Sequence, residues 1–165
     1  MINIKTYLRI DDDYIPIEEF FGKIEDIEDI QYTTGSVELT INYVKIIEKT
    51  LWDNVNHLWP YIINAIEELL VEDQKEAKLS YPDQPITLRF GKTNHSGRIF
   101  VEFSYPKLRR VETSASEFYE AILNAAEKYF SKMLTIVDEP DANGCNQEYL
   151  ETVQKLKNHL ESRKN

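Results

Sequence analysis

Between Ser36 and Ile46 the side chains alternate: Val37, Leu39, Ile41 and Tyr43 are separated by Glu38, Thr40 and Asn42. A period of two puts one set on each face of an extended chain, one dry and one wet. Such a segment is stable only as part of a sheet with one face covered, so the rest of the chain has to supply partner strands and a lid. Ile2–Ile10 repeats the pattern less strictly, with Ile2, Ile4, Leu8 and Ile10 at even spacing. Pro85–Gly91 and Gly97–Tyr105 read as two further strands, joined by Lys92-Thr-Asn-His-Ser-Gly97 as an antiparallel hairpin.

The covering elements are helical. Leu51, Val55, Leu58, Ile62, Ile66 and Leu69 form an apolar stripe within Thr50–Asp73, with Thr50 as its cap and a kink or break expected at Pro60. Ser114-Ala-Ser-Glu117 is a capping box, and Phe118, Ile122, Ala125, Tyr129, Met133 and Val137 continue from it at helical spacing. Pro16–Ile30 also reads as a helix, with Pro16 in its first turn and Ile17, Phe20, Phe21, Ile24 and Ile27 on one side. Asp138–Gly144 is dense in turn residues, which predicts a loop over 137–145 and a short C-terminal helix over 146–165. These elements predict one α+β domain over residues 1–165, an antiparallel or mixed sheet of about four to five strands with helices packed on one face. At 42% hydrophobic residues the chain can bury a full core without staples.

Charge is distributed far less evenly than hydrophobicity. Asp11, Asp12, Asp13, Glu18, Glu19, Glu25, Asp26, Glu28 and Asp29 face only Lys23, so nineteen residues carry −8 of the chain's −10. A local field of this size marks a surface that meets a basic partner or stays strongly solvated. With Tyr14, Phe20, Phe21 and Tyr32 interspersed, the stretch suits docking into the basic site of a nuclease or other nucleic-acid enzyme. Direct nucleic-acid binding is disfavoured, because the only basic cluster is Lys107-Leu-Arg-Arg110, whose commoner use is to blunt an edge strand.

Catalytic and metal patterns are sparse. Cys145 is the single cysteine, which excludes an internal disulfide and a cysteine-based zinc cage, and Asn143–Asn146 offers it no histidine. His57, His95 and His159 stand at no ligand or dyad spacing, and there is no HExxH, GxSxG, GxxxxGK[ST] or GxGxxG pattern. Glu139–Gly144 half-matches a calcium loop but has Glu where Asp opens the loop and Leu150 where the bidentate Glu should stand. No catalytic residue, metal or cofactor is therefore expected. The competing readings are a hydrolase assembled from distant carboxylates with His57 or His95, a homo-oligomeric structural protein, and a patch that only keeps the protein soluble. The first thirteen residues show no export signal, and Leu58–Val71 is too short and polar to span a bilayer, so a cytoplasmic protein is expected.

In size, acidity and α+β order the chain resembles the small immunity proteins that bacterial gene pairs make against their own toxins. Gly35-Ser-Val-Glu-Leu-Thr-Ile-Asn42, Leu51-Trp-Asp and Leu58-Trp59-Pro60 have the look of bacterial sequences of this kind. The resemblance implies a stoichiometric inhibitor without catalytic residues. Its partner surface is then expected to include Asp11, Asp12, Asp13, Tyr14, Glu18, Glu19, Glu25, Asp26, Glu28 and Asp29.

Overall fold

The computed structural model describes residues 1–165 and shows an α+β fold with two antiparallel sheets. The first sheet is built from β1 (Ile2–Ile10), β2 (Asp13–Pro16), β3 (Thr34–Ile41), β4 (Val44–Ile47) and β5 (Asp53–Asn54). Its order is β2-β1-β3-β4, with β5 also pairing with β3. The alternating run Ser36–Ile46 is thus a hairpin, not one strand. It turns at Asn42 and Tyr43, both at positive φ (47° and 68°), the backbone of a type I′ turn. Asp11 and Asp12 (51° and 66°) make the same turn between β1 and β2. Two of the nine clustered carboxylates thereby have a local structural reason to be there, since Asp tolerates this conformation better than most residues.

The second sheet, β6 (Glu76–Ser80), β7 (Thr87–Lys92), β8 (Arg98–Phe103) and β9 (Arg109–Ser114), runs in simple chain order. The β7–β8 hairpin follows the sequence expectation, whereas β6 and β9 carry too few apolar residues to announce themselves. β9 is an edge strand, and it begins at Arg109 within the basic cluster, the edge-strand use anticipated for those cations. Its Arg110 guanidinium lies 3.9 Å from the centre of the Phe100 ring. Gly91 is paired opposite Phe100, and a Cβ there would fall 2.3 Å from a ring carbon, so this strand position has room only for glycine.

α1 (Val55–Leu70) joins the two sheets. It starts later than the apolar stripe suggests: Asn54, not Thr50, is the cap, its side chain accepting from the Asn56 N–H. Pro60 lies inside the helix, which runs on to Leu70 without a break. Leu58, Trp59, Ile62, Ile63, Ile66 and Leu69 are all buried there. Burial of six large side chains, each worth roughly 1.5–3 kcal/mol, outweighs one lost backbone hydrogen bond.

α2 (Ala115–Ile136) is capped by Ser114, which accepts from the Glu117 N–H as the capping box predicts. α3 (Pro140–Ser162) corrects the C-terminal expectation. The predicted loop over 137–145 shrinks to Val137–Glu139, and the helix begins six residues before Asn146. Asp, Pro and Asn in this stretch form a helix start instead of a turn: Glu139 caps, Pro140 occupies the first turn and Asp141 meets the positive end of the dipole. α2 packs against α3 and against strands of both sheets, and one buried cluster of 39 residues draws on both sheets and all three helices.

Candidate functional site

The acidic stretch is not helical. After β2 the chain makes three short 3₁₀ turns, Ile17–Glu19, Ile24–Asp26 and Ile30–Tyr32. In a continuous helix Glu25 would stack on Glu28 and Asp29, and Asp26 on Asp29, at like-charge i,i+3 and i,i+4 spacings. Gly22 would cost about 1 kcal/mol more. Ile17 and Ile24 are instead driven into the core as separate pegs, while Phe21 is left 86% exposed and Ile27 and Tyr32 also stand out in solvent.

The carboxylates divide by what they touch. Asp12 meets Arg9 at 2.5 Å and is the only one of the nine paired with a cation. Glu25 accepts from the backbone N–H groups of Asp138 and Glu139 at 2.7 and 2.9 Å, fastening the stretch to the α2–α3 connection. Burial pushes the Glu25 carboxyl up, but the two N–H groups outweigh it and hold the carboxyl below its ordinary value. Glu28 accepts from the Thr34 N–H at 3.1 Å; burial raises its carboxyl above the usual range despite that bond. Asp29 accepts from the Gln31 N–H at 2.9 Å. Tyr14, half-buried, donates to the Thr50 carbonyl at 3.0 Å. Asp11, Asp13, Glu18, Glu19 and Asp26 are exposed and engage neither cation nor N–H. Asp11 lines a shallow depression together with Ile27 and Glu28, so the β1–β2 turn and the second 3₁₀ turn lie side by side.

The end of this stretch is stitched to the first turn of α1. The Asn56 side-chain amide donates to the Ile30 carbonyl and to Thr33 Oγ1 (2.5 and 2.7 Å) and accepts from the Tyr129 hydroxyl (2.9 Å). Asn54 donates to the Gln31 carbonyl at 2.8 Å. The connector therefore has defined geometry without a helix or strand of its own.

Beside these contacts opens a cleft of about 220 Å³. Ile30 and Gln31 form one wall and Asn56 and His57, from the start of α1, another. The third is a face of α3, with Asp141, Ala142, Cys145 and Asn146 at i, i+1, i+4 and i+5, below the capping Glu139. Sequence spacing separates His57 from Cys145 by 88 positions, and folding brings both to one cleft. The signal available for it was the Glu139-Pro140-Asp141 helix start, which reads as a turn when its Asn and Gly are weighted first. His95 stays in the β7–β8 loop and His159 near the end of α3. No three His, Cys, Asp or Glu side chains come together closely enough to hold a metal ion. No helix is long and apolar enough to cross a membrane. Comparison with protein-family models, curated proteins and solved structures gave no match.

Proposed function

We propose that this chain is a non-enzymatic, cytoplasmic binding protein that inhibits a basic protein partner stoichiometrically, in the manner of a toxin-immunity protein directed at a nuclease. The observation that supports this most is the pairing of unneutralised carboxylates with an exposed anchor. Phe21 is 86% and Tyr32 65% exposed, in a stretch where Asp11, Asp13, Glu18, Glu19 and Asp26 have no partner of their own. Phe21 has the Lys132 ammonium 4.7 Å from its ring centre on one side and acidic neighbours along the chain. Exposed aromatic rings within an acidic stretch are what a charge-steered interface uses: the field speeds encounter and the rings hold the complex. The stretch is also pre-ordered by its bonds to Asp138, Glu139, Thr34 and Asn56, which lowers the entropy lost on docking.

The hydrolase alternative gains one observation, the meeting of His57 and Cys145 in the cleft. A thiol nucleophile also needs donors for a developing oxyanion. At the start of α3 the Asp141 and Ala142 N–H groups are taken by the Glu139 side chain and the Asn143 N–H by the Glu139 carbonyl, and at the start of α1 the Asn56 N–H is taken by Asn54. The cleft favours binding over acyl chemistry.

The test is a titration against basic proteins encoded by neighbouring genes, at low and high salt. The expected result is a one-to-one complex that weakens as salt rises. Neutralising Asp11, Asp13, Glu18, Glu19 and Asp26 to Asn or Gln should weaken it by about tenfold or more and flatten the salt dependence. Unchanged affinity of that variant at low salt would remove the proposal.

A further inference from the structure

The cleft has a ligand-facing chemistry that can be read from what its groups already do. Asn146 is only 9% exposed, yet its side-chain amide makes no hydrogen bond within the protein and opens onto the cleft. A polar group held in the protein with its amide open to the cleft and no protein partner is free to bond whatever enters there. Asp141 also faces the cleft and has no ion pair, its backbone N–H alone being engaged, by Glu139. The start of α3, which would ordinarily favour an anion, has its N–H groups of Asp141, Ala142 and Asn143 occupied by Glu139, and at the start of α1 Asn54 takes the Asn56 N–H. What remains beside His57 is one free carboxylate, acceptor-only, and the side-chain amides of Gln31 and Asn146, whose oxygens can join it in accepting from a cation.

Size narrows the occupant further. About 220 Å³ falls below the range of roughly 300–1,000 Å³ typical of small-molecule sites and suits a single side chain. Acceptors on separate walls, Asp141 and Asn146 on α3 and Gln31 opposite, match the planar fork of a guanidinium better than the point charge of an ammonium. Gln31 follows Asp29 by two residues, so the cleft lies at the end of the acidic stretch and a partner seated there would reach it.

We propose that the cleft between the starts of α1 and α3 is a receptor for an arginine side chain of the basic partner, held by Asp141 and Asn146. This rests on the binding-protein reading above and adds the residue type that the partner must present. The pocket reads shape and hydrogen-bond geometry, while the carboxylates of the 3₁₀ stretch supply attraction at a distance.

The probe is Nα-acetyl-arginine methylamide, titrated into the full-length protein and followed by amide NMR shifts. Saturable shifts are expected at Gln31, Ala142 and the Asn146 side-chain amide, with the lysine analogue weaker by several-fold and the neutral citrulline analogue not binding. Asp141→Asn should weaken the arginine probe by about tenfold, the size of one charge-assisted hydrogen bond. Asp141 is exposed, so this variant tests charge without disturbing the core; Asn146→Ala, checked for folding by its own spectrum, should weaken the probe as well. Equal binding of the citrulline analogue, shifts confined to residues 11–29, or full binding by Asp141→Asn would overturn the proposal. The variant neutralised at Asp11, Asp13, Glu18, Glu19 and Asp26 should keep its probe affinity within about twofold, since those groups act on the partner's field and not inside the cleft. Loss of partner binding with the probe retained, or the reverse, tells the two proposals apart.

Discussion

The second sheet and the acidic stretch are both rich in charge but treat it in opposite ways. Residues 76–114 hold seven basic and four acidic side chains, and from β7 to β9 the strand ladder lines up opposites, although Lys78 of β6 stands opposite Arg89. Arg89 is paired opposite Glu102, and Glu102 opposite Arg110, so alternating signs form a row across three strands. Arg89 meets Glu102 at 2.9 Å and Glu76 at 3.3 Å. The acidic stretch has no ladder and almost no cations. Apart from Asp12, which meets Arg9, its carboxylates either take backbone N–H groups or stay free. Register can set opposite charges side by side in a sheet, whereas an irregular segment must fasten itself through individual bonds. The consequence is a matched row, Arg89, Glu102 and Arg110, on the sheet and a stretch of carboxylates left mostly without cations.

The two sheets are tied together by a buried carboxylate. Asp53 is 1% exposed, sits in β5 against β3, and accepts from the N–H groups of Asn54, Asp83 and Gln84 at 2.6 to 3.2 Å. The last two belong to the connection between β6 and β7, so this side chain ties the first sheet to the second. It also stands near the buried Tyr81 hydroxyl, whose titration is pushed well up by burial and then by the Asp53 charge. Asp53→Ala would leave three inward N–H groups without an acceptor and should cost about 3–5 kcal/mol, a large share of a domain's stability of roughly 5–15 kcal/mol. Urea unfolding measures it. A loss below about 1 kcal/mol would mean that the sheets are held by apolar packing alone.

Within the acidic stretch, neighbours should separate sharply. Glu25→Ala removes the acceptor for the Asp138 and Glu139 N–H groups and should cost about 1–2 kcal/mol, moderated by the exposure of the site. Asp26→Ala, one residue on with no partner, should change stability by less than about 0.5 kcal/mol. The Glu25 effect carries a pH signature. Its folded carboxyl titrates below its unfolded value, so its contribution is complete above about pH 4.5 and is lost as pH falls through the lowered folded value. Wild type and Glu25→Ala should therefore converge in acid. Equal stabilities for Glu25→Ala and Asp26→Ala at neutral pH would show that the Glu25 bonds to the α2–α3 connection do not help hold the stretch.

The same contrast explains what was legible in the sequence. Ser114 and Glu117 announce α2 because both halves of a capping box are local. The apolar stripe of α1 shows through Pro60, since five buried residues, Val55, Leu58, Ile62, Ile66 and Leu69, repeat at one period. Val44–Ile47 reads as part of the strand before it because Asn42 and Tyr43 keep the alternation going while the backbone reverses; both take positive φ, and while Asn42 suits such a turn, the bulky Tyr43 gives no warning of it. The acidic stretch had the composition of an amphipathic helix face but the charge spacing of a chain that repels itself, and repulsion prevailed. Asn146 and Asp141 could not be assigned a cleft because its other walls come from residues 30–57.

Glu28 offers the finest test of how the stretch handles charge. It lies three residues from Glu25 and also accepts a backbone N–H, yet its carboxyl shifts the other way. Burial is the larger influence at Glu28, where one N–H from Thr34 does not repay the water removed. With a folded value above the unfolded one, the folded state holds the proton more tightly. The group's cost to stability then grows as pH rises from about 4.5 through the raised folded value. Glu28→Gln keeps an acceptor for Thr34 and removes the charge, so it should leave stability at pH 7 unchanged or raise it by up to about 0.5 kcal/mol. Below pH 4 it should confer no gain. Paired unfolding curves across this range distinguish the two glutamates by sign: Glu25→Ala loses its deficit on acidification, and Glu28→Gln loses its advantage. If both variants showed the same pH trend, depth of burial would not be what separates these carboxylates, and the division into fastened and unfastened charges would fail at its smallest scale.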